Sequence, residues 1–234
     1  MKTFEFAQHS ADWFRARAGL LTASKADALL TPLFKVKDGK AVDTLISKVL
    51  AEKWTGGPLP EDQINVLPME YGTILESEAR PAYTLLTGQE VREVGLVATD
   101  DGICGASPDG LIGEDCGIEI KCPNASTHVK YLLAAKVPDD YIVQVHFSLY
   151  VTGFPRWIFM SYRRTMPPLI LTVERDEKIQ CQIEEAVENF KSKMDTGWKT
   201  LISLNGGNLT PPPPPSVDEV LASEYQPQTG DTIP

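Results

Sequence analysis

The chain has 234 residues, 42% of them hydrophobic, which suits one large α/β domain with a tail better than two domains. Its net charge of -10 excludes a protein that coats nucleic acid indiscriminately, because such binding rests on neutralising many phosphates with Lys and Arg. No stretch approaches the roughly 20 apolar residues of a membrane span, and the opening MKTFEFAQHSADWF lacks an apolar signal core, so a cytoplasmic protein is expected. Cys104, Cys116, Cys122 and Cys181 show no paired CxxC spacing, which argues for free thiols and against a zinc site.

In chain order, LTASKADALL reads as a helix start, with Thr22 or Ser24 available to cap it. A second helix is expected over Val42 to Lys53, followed by GGPLPEDQINVLP as a long irregular connection. A third helix, from about Glu70 to Leu86, should be kinked or broken at Pro81. EVREVGLVAT, GICGAS, DGLIG and GIEIKC are short β-prone runs separated by glycines, as in a meander or hairpins. Helices then follow over about Ser126 to Ala135 and over Asp139 to Thr152, the latter stopped by Gly153. RWIFMSY and PLILTVER read as two more strands. DEKIQCQIEEAVENFKSKMD is an amphipathic helix with Ile179, Ile183, Val187 and Phe190 on its apolar face.

The expected domain ends near residue 205. Residues 206–234 form a tail with five successive prolines and four acids but no Lys or Arg. The tail holds less than half of the net negative charge, so the body is acidic too. Any polyanion must therefore meet a local basic site or metal ions.

The string CGASPDGLIGEDCGIEIKCP carries the chemistry. On a strand, Glu119 and Lys121 share one face and Ile118 and Ile120 the other. Whether Asp109 joins Glu119 depends on register: a two-residue turn at Glu114-Asp115 sends it to the opposite face. A three-residue loop, or a bulge or strand end near Pro108, brings it to the same face. Two converging carboxylates need a compensating cation, and oxygen ligands of this kind suit Mg²⁺ or Mn²⁺. Lys121 beside them could orient or deprotonate an attacking water, which is phosphodiester hydrolysis chemistry. Taken alone, the same residues also suit a solvated strand face. Glu76, on a helix with Leu75 and Ala79 facing the core, could be an exposed carboxylate or a site residue. Gln144, in an apolar helix, needs a buried partner whether or not it is functional.

The order Glu76, Ser107-Pro108-Asp109-Gly110, Glu119-Ile120-Lys121, Gln144 resembles the PD-(D/E)xK nuclease pattern. WFRARAGLLTAS, YGTILE, ASPDGL, IEIKCP and QVHFSLYVTG together resemble lambda exonuclease and the YqaJ-type phage recombination nucleases, over residues 13 to about 195. The resemblance implies an α/β fold with a central mixed twisted β-sheet flanked by helices, restriction-endonuclease-like. It implies an enzyme of phage or prophage origin that digests one strand of linear duplex DNA in the 5′ to 3′ direction with Mg²⁺, two ions per site. The 3′ overhang left behind would serve a phage single-strand annealing protein. By the same resemblance, Asp109, Glu119 and the Ile120 carbonyl would hold the metal and Lys121 would position the water. Glu76 and Gln144 would support them. Arg17, with Ser24 and Ser107, would bind the terminal 5′-phosphate, with Arg15 as a weaker neighbour. A homotrimeric ring is implied, its bore lined by cations for which Lys35, Lys37 and Lys40 are candidates. Leu67 and Met69 are candidate wedges for opening the DNA end. Ser148 stands where RecB-type relatives place a tyrosine, and the cysteines do not supply an iron-sulfur pattern. Two alternatives are an endonuclease using the same metal site and a non-catalytic DNA-end or partner-binding module. The second is disfavoured because Asp, Glu and Lys are all present.

Overall fold

A computed structural model describes residues 1–60 and 66–207, with the backbone alone over 66–74. The chain runs β1 (Lys2–Phe4), α1 (Ala11–Arg17), β2 (Leu21–Thr22), a 3₁₀ helix (Ala23–Ala28), α2 (Lys40–Thr55) and α3 (Val66–Thr87). It continues through β3 (Leu96–Ala98), β4 (Cys104–Ala106), β5 (Gly110–Ile112), β6 (Cys116–Lys121), α4 (Ala125–Ala134) and α5 (Asp139–Thr152). β7 (Arg156–Ser161), β8 (Leu169–Glu174) and α6 (Glu177–Leu204) complete it. Among the described residues no helix is long and apolar enough to cross a membrane.

Local chemistry explains most boundaries. Ser10 caps α1 by accepting from the Trp13 N–H, Asn124 caps α4 through Thr127, and Asp176 caps α6 through Lys178 and Ile179. Gly153, at a φ of 72°, closes α5 in the left-handed conformation that a side chain would disfavour. The expected capped helix at LTASKADALL is instead a 3₁₀ helix, and Thr22 makes no side-chain cap. The spacing explains this: Ala23, Ala26 and Leu29 are all buried, and a three-residue repeat aligns them on one face. α3 runs unbroken through Pro81 and begins inside the segment expected to be irregular. α6 extends past Asp195 because Trp198 and Leu201 keep packing against the core.

The β layer is two mixed four-stranded sheets, ordered β1-β3-β4-β2 and β5-β6-β7-β8. Backbone hydrogen bonds of 2.9 Å and 2.8 Å between Arg92, just before β3, and Leu111 of β5 link the two sheets. β6 and β7 are parallel, joined by a crossover that contains α4 and α5, and this crossover carries α5 back over the sheets. The larger core lies where α2, α5, α6 and the 3₁₀ helix meet the sheets. A smaller one packs Ile118 and Ile120 of β6 against Ala79 and Tyr83 of α3. β6 is therefore buried along its length except at Lys121, its last residue, which is half-buried.

Close packing on β6 yields a stability test. A Cβ on Gly117 would lie 2.4 Å from the indole of Trp157, its neighbour on β7, which is fully buried. Gly117→Ala should lower stability by about 1–3 kcal/mol through overpacking. Urea denaturation reads this directly, and an unchanged midpoint would show that the indole has room to move.

Candidate active site

The hairpin β5–β6 settles the register. Gly110 pairs with Ile118 and Ile112 with Cys116, so the connection is the three-residue loop Gly113-Glu114-Asp115, opened by Gly113 at a φ of 60°. Asp109 lies just before β5, at the strand end, and its N–H bonds to the Ile118 carbonyl at 3.0 Å. It is thereby brought opposite Glu119 and onto the same face. Its Oδ2 accepts from the Ile120 N–H at 2.6 Å, which fixes the carboxylate against β6.

Glu119 is buried, and its Oε1 takes two short contacts, from Lys121 Nζ at 2.6 Å and from Gln144 Nε2 at 2.6 Å. Gln144 reaches it from α5, so the lone amide of that helix has its partner. Among the described residues Glu119 Oε2 and Asp109 Oδ1 accept no hydrogen bond. Lys121 Nζ also lies 5.0 Å from the centre of the Tyr141 ring, which backs the cation. Glu76 projects from α3 toward the same charges. Burial raises its pKa, the Lys121 ammonium opposes this, Glu119 adds to it, and Arg80 opposes it.

The electrostatics are those of a site with excess negative charge. Burial pushes the Asp109 carboxyl well above the usual carboxylate range, and the nearby charges of Glu119 and Glu76 push it further, against Lys121 and the Ile120 N–H. Burial alone would lower Lys121, but Glu119 and Asp109 override it and hold the ammonium well above its ordinary value. Lys121 is thus the cation that opposes the crowding of Asp109 by two further carboxyl groups. The donors are hard oxygens, and among the described residues no three His, Cys, Asp or Glu side chains close around one point. Asp109 and Glu119 supply the one or two carboxylates that Mg²⁺ typically takes alongside water, so the donor set fits such an ion. The Ile120 side chain is buried in the smaller core, so only its backbone can serve the site.

A second pocket adjoins the first. Arg17, the last residue of α1, donates from Nη1 to Ser107 Oγ at 2.6 Å and from Nη2 to Ser24 Oγ at 3.3 Å. Trp13, one turn earlier, stacks its ring 4.2 Å from the guanidinium and donates Nε1 to Ser107 Oγ at 3.1 Å. Burial lowers Arg17 to about 10, with Glu52 and Glu119 opposing the fall, so it remains a cation at neutral pH. Ser107 precedes Asp109 by two residues.

Trp13 was not singled out from sequence as part of this site. Neither was Gln8, whose Nε2 donates to Val94 O at 3.0 Å and Pro108 O at 2.8 Å and so pins the segment before Asp109. Arg80 was missed as well; it ion-pairs with Glu93 at 2.8 Å and reaches the Asp109 carbonyl at 3.5 Å. A tryptophan four residues before an arginine was the one available signal, at helical spacing. Arg15 turns away to pair with Asp12 at 3.0 Å. Lys35 and Lys40 are exposed, and the half-buried Lys37 donates from Nζ to the Asp27 carbonyl at 2.6 Å; none of the three shares a contact with this centre. The side chains of Leu67 and Met69, and the tail beyond residue 207, lie outside the described residues.

A hairpin that delivers Asp109, Glu119 and Lys121 to one end of a mixed sheet, with helices on its faces, defines a nuclease of the PD-(D/E)xK type. The chain belongs to the YqaJ-like viral recombinase domain family, whose model matches residues 12–155. Its fold is similar to that of an alkaline exonuclease, LHK-Exo, from Laribacter hongkongensis. That enzyme is 30% identical over 85% of this chain and 99% of its own, with a TM-score of 0.74. The same values hold for LHK-Exo in complex with dAMP. A phage related exonuclease from Haemophilus somnus 129PT shares the fold at 12% identity, covering 78% of this chain and 96% of its own, with a TM-score of 0.57. No curated protein sequence matches the chain.

Proposed function

We propose that the protein is a Mg²⁺-dependent exonuclease that digests one strand of linear double-stranded DNA from its 5′ end and leaves a 3′ overhang. The observation that carries this reading is the adjacency of the two pockets. Ser107 belongs to the Arg17 pocket and Asp109 to the carboxylate centre, two residues or about 7 Å apart along an extended chain. That is comparable to the spacing of neighbouring phosphates on one strand. A terminal phosphate held by Arg17 would present the next phosphodiester to Asp109 and Glu119. The binding of dAMP by LHK-Exo supports a site of this size.

Asp109, Glu119 and the Ile120 carbonyl would hold the metal, with Mn²⁺ as a possible substitute. Two bound ions would stabilise the attacking and leaving oxygens of an in-line displacement. The chain's own residues do the rest. Lys121, held as an ammonium, orients the water that attacks the phosphorus and balances charge as the bond breaks. Gln144 fixes the Glu119 carboxylate through Oε1, and Glu76 supports the centre from α3. Arg17, with Ser24 and Ser107, grips the end by a planar fork suited to phosphate. The overhang would pass to a phage single-strand annealing protein. A homotrimeric ring would keep the duplex in place between cuts, and sedimentation equilibrium tests the trimer.

The reading is tested on linear duplex labelled at either end, with and without chelator. Labelled 5′ nucleotides should appear only with Mg²⁺. Release from the 3′ end, or cutting of covalently closed circles, would refute the assignment. Arg17→Ala should lower the preference for 5′-phosphorylated over 5′-hydroxyl ends by about 10²-fold, the size of a lost pair of charge-assisted hydrogen bonds. Equal losses on both ends would remove Arg17 from the phosphate pocket.

A further inference from the structure

Glu52 of α2 is 3% exposed, and none of the chemistry above uses it. Its Oε2 accepts from the Gly19 N–H at 2.9 Å, and Lys25 Nζ contacts its two oxygens at 3.1 Å and 3.4 Å. Gly19 follows Arg17 by two residues, at a φ of 79° in the turn that leads from α1 to β2. Lys25 immediately follows Ser24 on the 3₁₀ helix. One buried carboxylate therefore ties together the two arms that bring Arg17 and Ser24 to the same point.

Stability is a weak reason for such a group. Removing a carboxylate and an ammonium from water costs about as much as their attraction returns, and apolar side chains of similar volume often serve as well. Geometry is the stronger reason. The clamp fixes the spacing between the Arg17 turn and the Ser24 turn, and it engages Lys25, so that Arg17 is the cation whose fork contacts both pocket serines. The Glu52 charge also reaches Arg17, where it opposes the effect of burial.

We propose that Glu52 is a positioning residue of the Arg17 pocket, setting the separation of Arg17 and Ser24 and through it the selectivity for a 5′-phosphorylated end. The proposal rests on the terminal-phosphate reading of that pocket.

Glu52→Gln keeps the size and can still accept from Gly19, but cannot neutralise Lys25. It should raise KM for 5′-phosphorylated duplex about tenfold, with kcat and the rate on hydroxyl ends within about twofold of wild type. In an Arg17→Ala background it should add nothing. A second readout does not depend on activity: in protein with ¹⁵N-labelled arginine, the Arg17 side-chain resonance should shift or broaden in Glu52→Gln. The double variant Glu52→Gln/Lys25→Met, which removes both charges and so leaves neither ion buried without a partner, should reproduce the shift and the loss of preference, and stands in if Glu52→Gln does not fold. Equal losses on both kinds of end, or an unchanged Arg17 resonance, would overturn the proposal. A wild-type enzyme that ignores the 5′-phosphate would instead refute the pocket reading and the selectivity with it. The Arg17 resonance would then decide the clamp alone.

Discussion

Asp109→Asn should lower the cleavage rate by about 10³-fold or more while making the protein more heat-stable in chelator. Both effects come from one buried charge. Burial and the charges of Glu119 and Glu76 hold the Asp109 carboxyl well above its ordinary pKa. Between the unfolded value of about 3.9 and this raised one, the folded chain keeps a proton that the unfolded chain has released, so stability falls as pH rises through that window. Above it, wild type without divalent cations carries the full cost of the charge, whereas asparagine carries none and can still accept from the Ile120 N–H. Tm should rise by a few degrees, since about 1 kcal/mol moves a domain of this size by roughly 2–4 °C. Added Mg²⁺ should raise Tm of wild type by mass action and leave Asp109→Asn nearly unmoved. A variant that melts earlier than wild type in chelator would show that Asp109 is a structural acceptor and not a strained charge.

The same carboxylate shows what sequence could and could not supply. Alternation along GIEIK assigns Ile118 and Ile120 to one face and Glu119 and Lys121 to the other, and the structure buries the isoleucines against α3 as that pattern requires. The face taken by Asp109 was undecided, because a loop of two or three residues fits the same letters. Only the register, Gly110 on Ile118, decides it. Gln144 could be read as an amide in need of a partner, but not as the partner of a residue 25 positions away. Arg17, Ser24 and Ser107 were legible together only through a family resemblance, since their contact joins three separate elements. Glu52, Gln8 and Arg80 gave no local signal at all: each acts on backbone or side chains far along the chain. β2 escaped notice because its two residues open the stretch that reads as a helix, and β1 because its three stand in no longer β-prone run.

Lys121→Met should be inactivating as well, by about 10²- to 10³-fold, yet its effect on stability should have the opposite sign. Its Nζ lies 2.6 Å from Glu119 Oε1, and the Glu119 side chain is only 3% exposed. Removing the ammonium leaves that carboxylate with the Gln144 amide, a neutral donor, and with Asp109 and Glu76 still nearby. Breaking a fully buried pair in this way costs about 3–5 kcal/mol, and the partial exposure of Lys121 reduces the cost. In chelator the variant should therefore melt several degrees below wild type, where Asp109→Asn melts above it. The pH profile separates the two roles open to Lys121. Without metal, burial would lower its pKa, but Glu119 and Asp109 prevail and raise it; a divalent cation held by those carboxylates would offset their charge, so the pH profile of the loaded enzyme decides between the roles. A group that keeps its proton orients water and balances charge; it does not take the proton. Where Lys121 keeps its proton, a rise in rate between about pH 7 and about 9 belongs to the attacking water, and Lys121→Arg, slower but still cationic, should keep that slope. A flat profile in Lys121→Arg, set against a rising one in wild type, would assign the proton transfer to Lys121.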